Sequence, residues 1–163
     1  MRKLINPTLQ HSSGEKMTEK AISILEDLHL IEKQNGEYNI NVSNVCREYI
    51  TSAICLLYYT LTTDPERSMS WYKEKRKDFD DDKTLFATIM LAGILGHASV
   101  KRIEIGIPEE QARRYDRETV DTLVTLLQDM YSTLQEQEPE VIKYIKAVNQ
   151  AFRVLIDALY MVV

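Results

Sequence analysis

Glycine is scarce in this chain: only 5 of 163 residues, none of them in a GxGxxG or GxxxxGK arrangement. Nucleotide-binding loops of those kinds are excluded, because they need glycine where backbone N–H groups wrap a phosphate. Cysteine is nearly absent too. Cys46 and Cys55, if carried on one helix at about 100° per residue, point to opposite faces and cannot bond to each other. They read as small buried hydrophobes in a reducing compartment. Of the three histidines, His11, His29 and His97, only His29 follows a glutamate by three residues (Glu26), where a di-iron site needs two such pairs, and neither HExxH nor CxxC occurs. The di-iron and zinc patterns are therefore missing, and no metal or other cofactor is expected. The longest stretch free of formal charge, Thr84–Val100, falls short of the roughly 20 apolar residues that span a bilayer. The opening MRKLINPTLQHSSGEK lacks the apolar core of a signal peptide. A cytoplasmic protein without membrane association is the expectation. A net charge of -5 with pI ≈ 5.3 disfavours non-specific attraction to nucleic acid or to an anionic membrane surface.

What is present is helical periodicity. Thr84–Val100, TLFATIMLAGILGHASV, predicts a buried central helix, with Asp80, Asp81 and Asp82 at its positive end and Lys101 and Arg102 at its negative end. Its small residues Ala87, Ala92, Gly93, Gly96 and Ala98 allow close approach of neighbouring helices. The two glycines cost about 1 kcal/mol each against alanine, which points to a packing reason for them. His97, beside Gly96, reads as a core histidine bonded to a backbone carbonyl. Before this helix, VSNVCREYITSAICLLYYTL is capped by Asn41, Ser43 or Asn44 and carries so many apolar residues that burial on most sides is expected. Asp64-Pro65-Glu66 opens a further polar helix. After the break at Gly106 and Pro108, one long helix or two meeting near Tyr115-Asp116 run to Glu138-Pro139. The last helix carries Val141, Ile145, Val148, Phe152, Leu155, Leu159 and Val162 at steps of four and three, a heptad seam.

The fold expected is all-α, a single-domain bundle of about five helices with a small β-hairpin near the N-terminus. Residues 1–15 form a flexible arm and 16–163 the helical domain, divided into helix plus hairpin (16–40) and bundle (41–163).

In that front unit, Met17, Ala21, Ile24, Leu25 and Leu28 mark an amphipathic helix ending near His29. Asn35-Gly36 joins two short strands, Leu30–Glu32 and Glu37–Ile40, as a hairpin. The run EKAISILEDLHLIEKQNGEYNI resembles the recognition helix and wing of a winged-helix domain. The resemblance covers this one unit and implies DNA contacts by Lys16, Lys20, Asn35, Gly36 and Tyr38. Glu15, Glu19, Glu26 and Asp27 offset the two lysines, and the polar arm does not supply the two preceding helices of a complete domain.

Other candidate sites are sparse. Trp71 and Tyr72 stand among Lys73, Lys75, Arg76 and Lys77, a mixture suited to stacking and phosphate contact. Asp64, Glu66, Glu74, Asp78 and Asp80–Asp82 outweigh those cations, so the segment reads as an internally paired exposed face with Trp71 as a partner-binding anchor. Arg113, Arg114 and Arg117 form a second basic group able to grip a phosphate or an acidic partner. Glu118 and Asp121 lie one turn apart, but no second carboxylate cluster accompanies them, so a magnesium-dependent hydrolase is not indicated. Should the protein have a site formed by spatial convergence, His97, Glu48 and Arg47 are the first residues to test. By elimination the sequence reads as a non-catalytic, protein-binding adaptor, regulator or subunit. It self-associates through Val148, Phe152, Leu155 and Leu159 of the C-terminal seam. A DNA-binding regulator is the alternative, and an enzyme with an unrecognised site the third.

Overall fold

The computed structural model describes residues 2–3, 15–105 and 115–162, with side chains described over 18–97 and 115–161. The first helix, α1 (Glu15–Asp27), ends in a paired closure. Leu30 N donates to the Leu25 carbonyl at 3.0 Å and His29 N to the Glu26 carbonyl at 2.9 Å, which satisfies two terminal carbonyls. The closure requires His29 in the left-handed region, at φ 58. It turns the chain into β2 (Ile31–Gln34) and β3 (Glu37–Ile40). Asn35 at φ 52 and Gly36 at φ 79 make the two-residue turn that the Asn-Gly pair predicts. Ile31 pairs with Ile40, and both are buried. A third strand, β1 (Arg2–Lys3), pairs with β3 in the register Arg2 to Ile40 and Lys3 to Asn39, giving the antiparallel order β1-β3-β2. Arg2 and Lys3 were expected in the flexible arm. Their pairing is made by the backbone against the free edge of β3, so side-chain periodicity carries no sign of it. Residues 4–14 lie outside the described residues.

The remaining elements begin at caps visible in the sequence. In α2 (Val42–Thr62) the cap is Asn41, whose side chain accepts from Asn44 N at 3.2 Å. α3 (Pro65–Lys75) starts with Pro65 in its first turn under Asp64, which accepts from Arg67 N at 3.2 Å, and it runs on into a 3-10 turn, Arg76–Asp80. α4 (Asp82–Ile105) is the expected central helix. α5 (Arg117–Gln137) is capped by Asp116, and α6 (Pro139–Val162) follows Glu138 directly. The chain is thus an all-α bundle with six α-helices among the described residues and a small β element at its front.

The apolar centre of α4 forms the middle of the core: Leu85, Phe86, Ile89 and Met90 are fully buried between α2 and α5. The ring centres of Tyr49 and Tyr131 lie 5.0 and 5.7 Å from that of Phe86. Of the two α4 glycines only Gly93 answers to a packing need. A Cβ there would lie 2.0 Å from Ser52 Oγ, whereas one at Gly96 would meet nothing within 4 Å. His97 is exposed and not a core residue, because the inward side of α4 is complete by Ile94.

α6 is tied to the start of α4 by a polar cluster. Arg153 donates to Asp82 Oδ1 at 2.8 Å and to the Phe79 carbonyl, and Asn149 Nδ2 donates to Asp82 Oδ1 at 3.0 Å. The buried Tyr49 hydroxyl donates to Asn149 Oδ1. Burial, followed by the nearby Asp82 charge, pushes the Tyr49 phenol far above its usual range, so it remains a neutral donor.

Candidate functional site

Helices α2 and α6 lie parallel. Tyr144 meets the Cys46 carbonyl near both starts, Tyr49 meets Asn149, and Thr60 faces Tyr160 near both ends. From Cys46, positions at helical spacing along α2 bring Ile50, Ile54, Tyr58 and Leu61 to one side. From Tyr144, the corresponding positions on α6 are Ala147, Ala151, Val154 with Leu155, Ala158 and Met161. The two stripes therefore begin side by side and continue in step. All of these residues are exposed: Ile54 by 60%, Tyr58 by 68% and Met161 by 87%. None of them carries a charge. This corrects the expected burial of α2 on most sides and that of its two cysteines, since Cys46 is half-buried and Cys55 exposed. Val45, Tyr49 and Ala53 already fill its contact with the core, and no other described element covers its opposite face.

The sequence seam on α6 divides at this surface. Phe152 is only 2% exposed and packs edge-on against Phe79, with ring centres 6.0 Å apart, while Val148 and Leu159 are half-buried. Leu155 alone of the four candidate self-association residues is open, at 52%. A second series with the same alternation of three and four, Tyr144, Ala147, Ala151, Val154, Ala158 and Met161, points outward. Alanine made it inconspicuous in the sequence, because alanine serves equally well on a surface or at a close helix contact.

Two of the cavities among the described residues lie elsewhere. One, of about 300 Å³, opens between the end of α2 and α3 and is lined by Leu56, Tyr59, Thr60, Asp64, Arg67, Ser68 and Trp71. Trp71 is half-buried with its ring centre 5.6 Å from that of Phe79, and Tyr72 stacks on Tyr160 at 4.2 Å and 7°. Both aromatics thus anchor α3, and Trp71 also forms a cavity wall.

The other, of about 270 Å³, brings Glu48 and His97 together with Asp27 and His29, beside Gly93 and Ser52. Arg47 does not join it and donates to Asn44 Oδ1 instead. Among the described residues no three histidine, cysteine, aspartate or glutamate side chains converge as metal ligands. The sequence reading missed Asp27 and His29 at this site, since only the closure after α1 carries them to α2 and α4.

The remaining candidates are scattered. Arg113 and Arg114 lie outside the described residues, and Arg117 is exposed in the first turn of α5. Lys16 falls within α1 with its side chain outside the described set, and Lys20 sits 3.8 Å from Asp116. Asn35 and Gly36 are exposed at the hairpin tip, and Lys33 Nζ stands 5.5 Å above the half-buried Tyr38 ring.

Comparison of the chain with protein-family models, with curated proteins and with solved structures finds no match. Among the described residues no helix is long and apolar enough to cross a membrane.

Proposed function

We propose that this chain is a non-catalytic helical module that binds protein and associates with a second copy of itself through the outer face of α2 and α6. The observation that supports this is the uncovered apolar surface, with Arg47 and Lys143 as its charged neighbours at helical spacing. A large aromatic side chain presents roughly 150–250 Å² and an aliphatic one somewhat less. Ile50, Ile54, Tyr58, Leu61, Tyr144, Val154, Leu155 and Met161 together therefore expose on the order of 800 Å². That matches the ~800 Å² each partner gives to a standard interface and exceeds the largest patch of an ordinary monomer. The chain is acidic, so two copies repel except where their surfaces carry no charge. Ala147, Ala151 and Ala158 let a facing helix approach closely. A face that meets itself about a two-fold axis closes the assembly and leaves no exposed remainder.

Co-capture of differently tagged copies after nuclease treatment tests this. Wild-type chains are expected to pair, and the double variant Ile54→Glu, Ala151→Glu to lose pairing while keeping its helical signal. Undiminished pairing of a folded variant overturns the reading.

One observation favours a second reading. Strand β1 completes a three-stranded sheet around the α1–hairpin unit, as in a winged helix, and DNA binding through α1 and the Asn35-Gly36 tip follows from that likeness. The exposed side chains of α1 argue against it, since Glu19, Glu26 and Asp27 outnumber Lys20 there. Absence of any salt-sensitive shift with duplex DNA would remove this reading.

A further inference from the structure

The cavity of about 270 Å³, where the end of α1 meets α2 and α4, lies apart from the self-association face. α2 supplies Glu48 and Ser52 to it, one turn apart and on another side of the helix than Ile50 and Ile54. Its floor is apolar, formed by the buried Leu30, Met90 and Ile94. Ser52 is the polar exception. It is 7% exposed, lines the cavity and makes no hydrogen bond among the described residues. The one enclosed and unbonded side-chain group among those residues is the Tyr160 hydroxyl, so that of Ser52 is open to the cavity. Gly93 leaves it the space, since a Cβ there would lie 2.0 Å from Ser52 Oγ. A buried hydroxyl with an open side and no partner favours an occupant that shares a hydrogen bond with it.

The rim is acidic. The exposed Glu48 carboxylate makes no ion pair or hydrogen bond among the described residues. Asp27 lines the same opening, and α1 ends there, so the negative end of its dipole adds to the two carboxylates. Among the described residues no lysine or arginine side chain lines the cavity, and Arg47, next to Glu48 in sequence, donates to Asn44 Oδ1 instead. The other rim groups, His29 and His97, are imidazoles, which ordinarily bring no charge above about pH 7. A cation is therefore favoured. Because no three histidine, cysteine, aspartate or glutamate side chains converge as ligands among the described residues, the cation that fits is organic. At about 270 Å³ the space falls short of the roughly 300–1,000 Å³ of ordinary ligand pockets, which limits the occupant to a short chain.

We propose that this cavity binds a small aliphatic amine in its protonated form. The ammonium, with its three donors, lies between the Glu48 carboxylate and the Ser52 hydroxyl, and the alkyl chain runs over Met90 and Ile94.

The test is titration of the full chain with n-butylamine, followed through the backbone amide NMR signals of Ser52 and Gly93. It is run at about pH 8, where an alkylamine is protonated and an imidazole ordinarily is not. Butan-1-ol has the same chain without the charge, and butyrate carries the opposite charge. The expected result is a saturable shift of both signals with the amine, at least about tenfold weaker binding of the alcohol, and none of butyrate. Glu48 is exposed, so Glu48→Gln should keep the fold. It is expected to weaken amine binding by roughly tenfold, as for loss of a charge-assisted hydrogen bond, and Ser52→Ala by roughly threefold. A shift that stays linear with amine concentration overturns the proposal. So does equal binding of amine and alcohol, or indifference to Glu48→Gln.

Discussion

The Tyr144 hydroxyl donates to the Cys46 carbonyl oxygen at 3.3 Å, placing the second turn of α6 beside the second turn of α2. Because two such helices start together and run the same way, apolar residues that follow Cys46 and Tyr144 at helical spacing stay level along both. A surface spread over two distant parts of the sequence becomes continuous through this relationship.

The two glycines of α4 should respond in opposite directions to alanine. At Gly93 the new Cβ falls on Ser52 Oγ and close to Ser52 Cβ, so the α2–α4 contact must open, at about 1–3 kcal/mol. At Gly96 nothing is met, and the gain in helix propensity is up to about 1 kcal/mol. Urea unfolding of the two variants checks both signs. Equal effects would mean that α2 and α4 do not approach at Gly93.

His29 holds a left-handed conformation that glycine adopts without a Cβ penalty. His29→Gly is expected to raise stability by about 0.5–1 kcal/mol, measured as a shift in the urea midpoint at unchanged slope. A loss of stability would show that the imidazole makes contacts outweighing the backbone strain.

Asn149 is fully buried and links Tyr49 on α2 to Asp82 at the start of α4. Asn149→Leu leaves the Tyr49 hydroxyl without its acceptor and should cost about 2–4 kcal/mol. Combining it with Tyr49→Phe should cost less than the sum of the two single changes, and additive costs in that cycle would exclude the coupling.

Acid should weaken the fold through its helix caps. The Thr84 hydroxyl first, then backbone N–H groups, holds the Asp81 carboxyl below its usual range, and Thr119 does the same for Asp116. A depressed folded value means the unfolded chain takes up protons first. This stability is present above the unfolded value of 3.8 and is lost as pH falls through the folded one. Asp129, raised by burial, acts with the opposite sign: its cost appears as pH rises toward its folded value. The double variant Asp81→Asn, Asp116→Asn should lose less stability than wild type between about pH 6 and about pH 3. An equal loss would place the acid sensitivity elsewhere.

Much of the fold was legible because its signals are local. Asn35-Gly36 specifies its own turn, Asp64-Pro65 its own helix start, and the acidic residues before α4 mark that boundary. What was not legible depends on which side of a helix finds a neighbour. Ile54 and Tyr49 are equally apolar in a sequence window, yet only Tyr49 faces α4 and α6. Phe152 belongs to a regular seam, yet Phe79 occupies the place a partner helix would need. Tyr160 reaches Thr60 and Ser68 from the far end of the chain, a convergence without sequence pattern.

Sedimentation equilibrium over a wide concentration range, on wild type and on Val154→Glu, tests the central claim most directly. Val154 is exposed and away from the core, so the variant should fold. The account predicts a reversible dimer for the wild type and a monomer for Val154→Glu with unchanged helical content. A wild-type chain that stays monomeric throughout, or a folded variant that dimerises equally well, would contradict it.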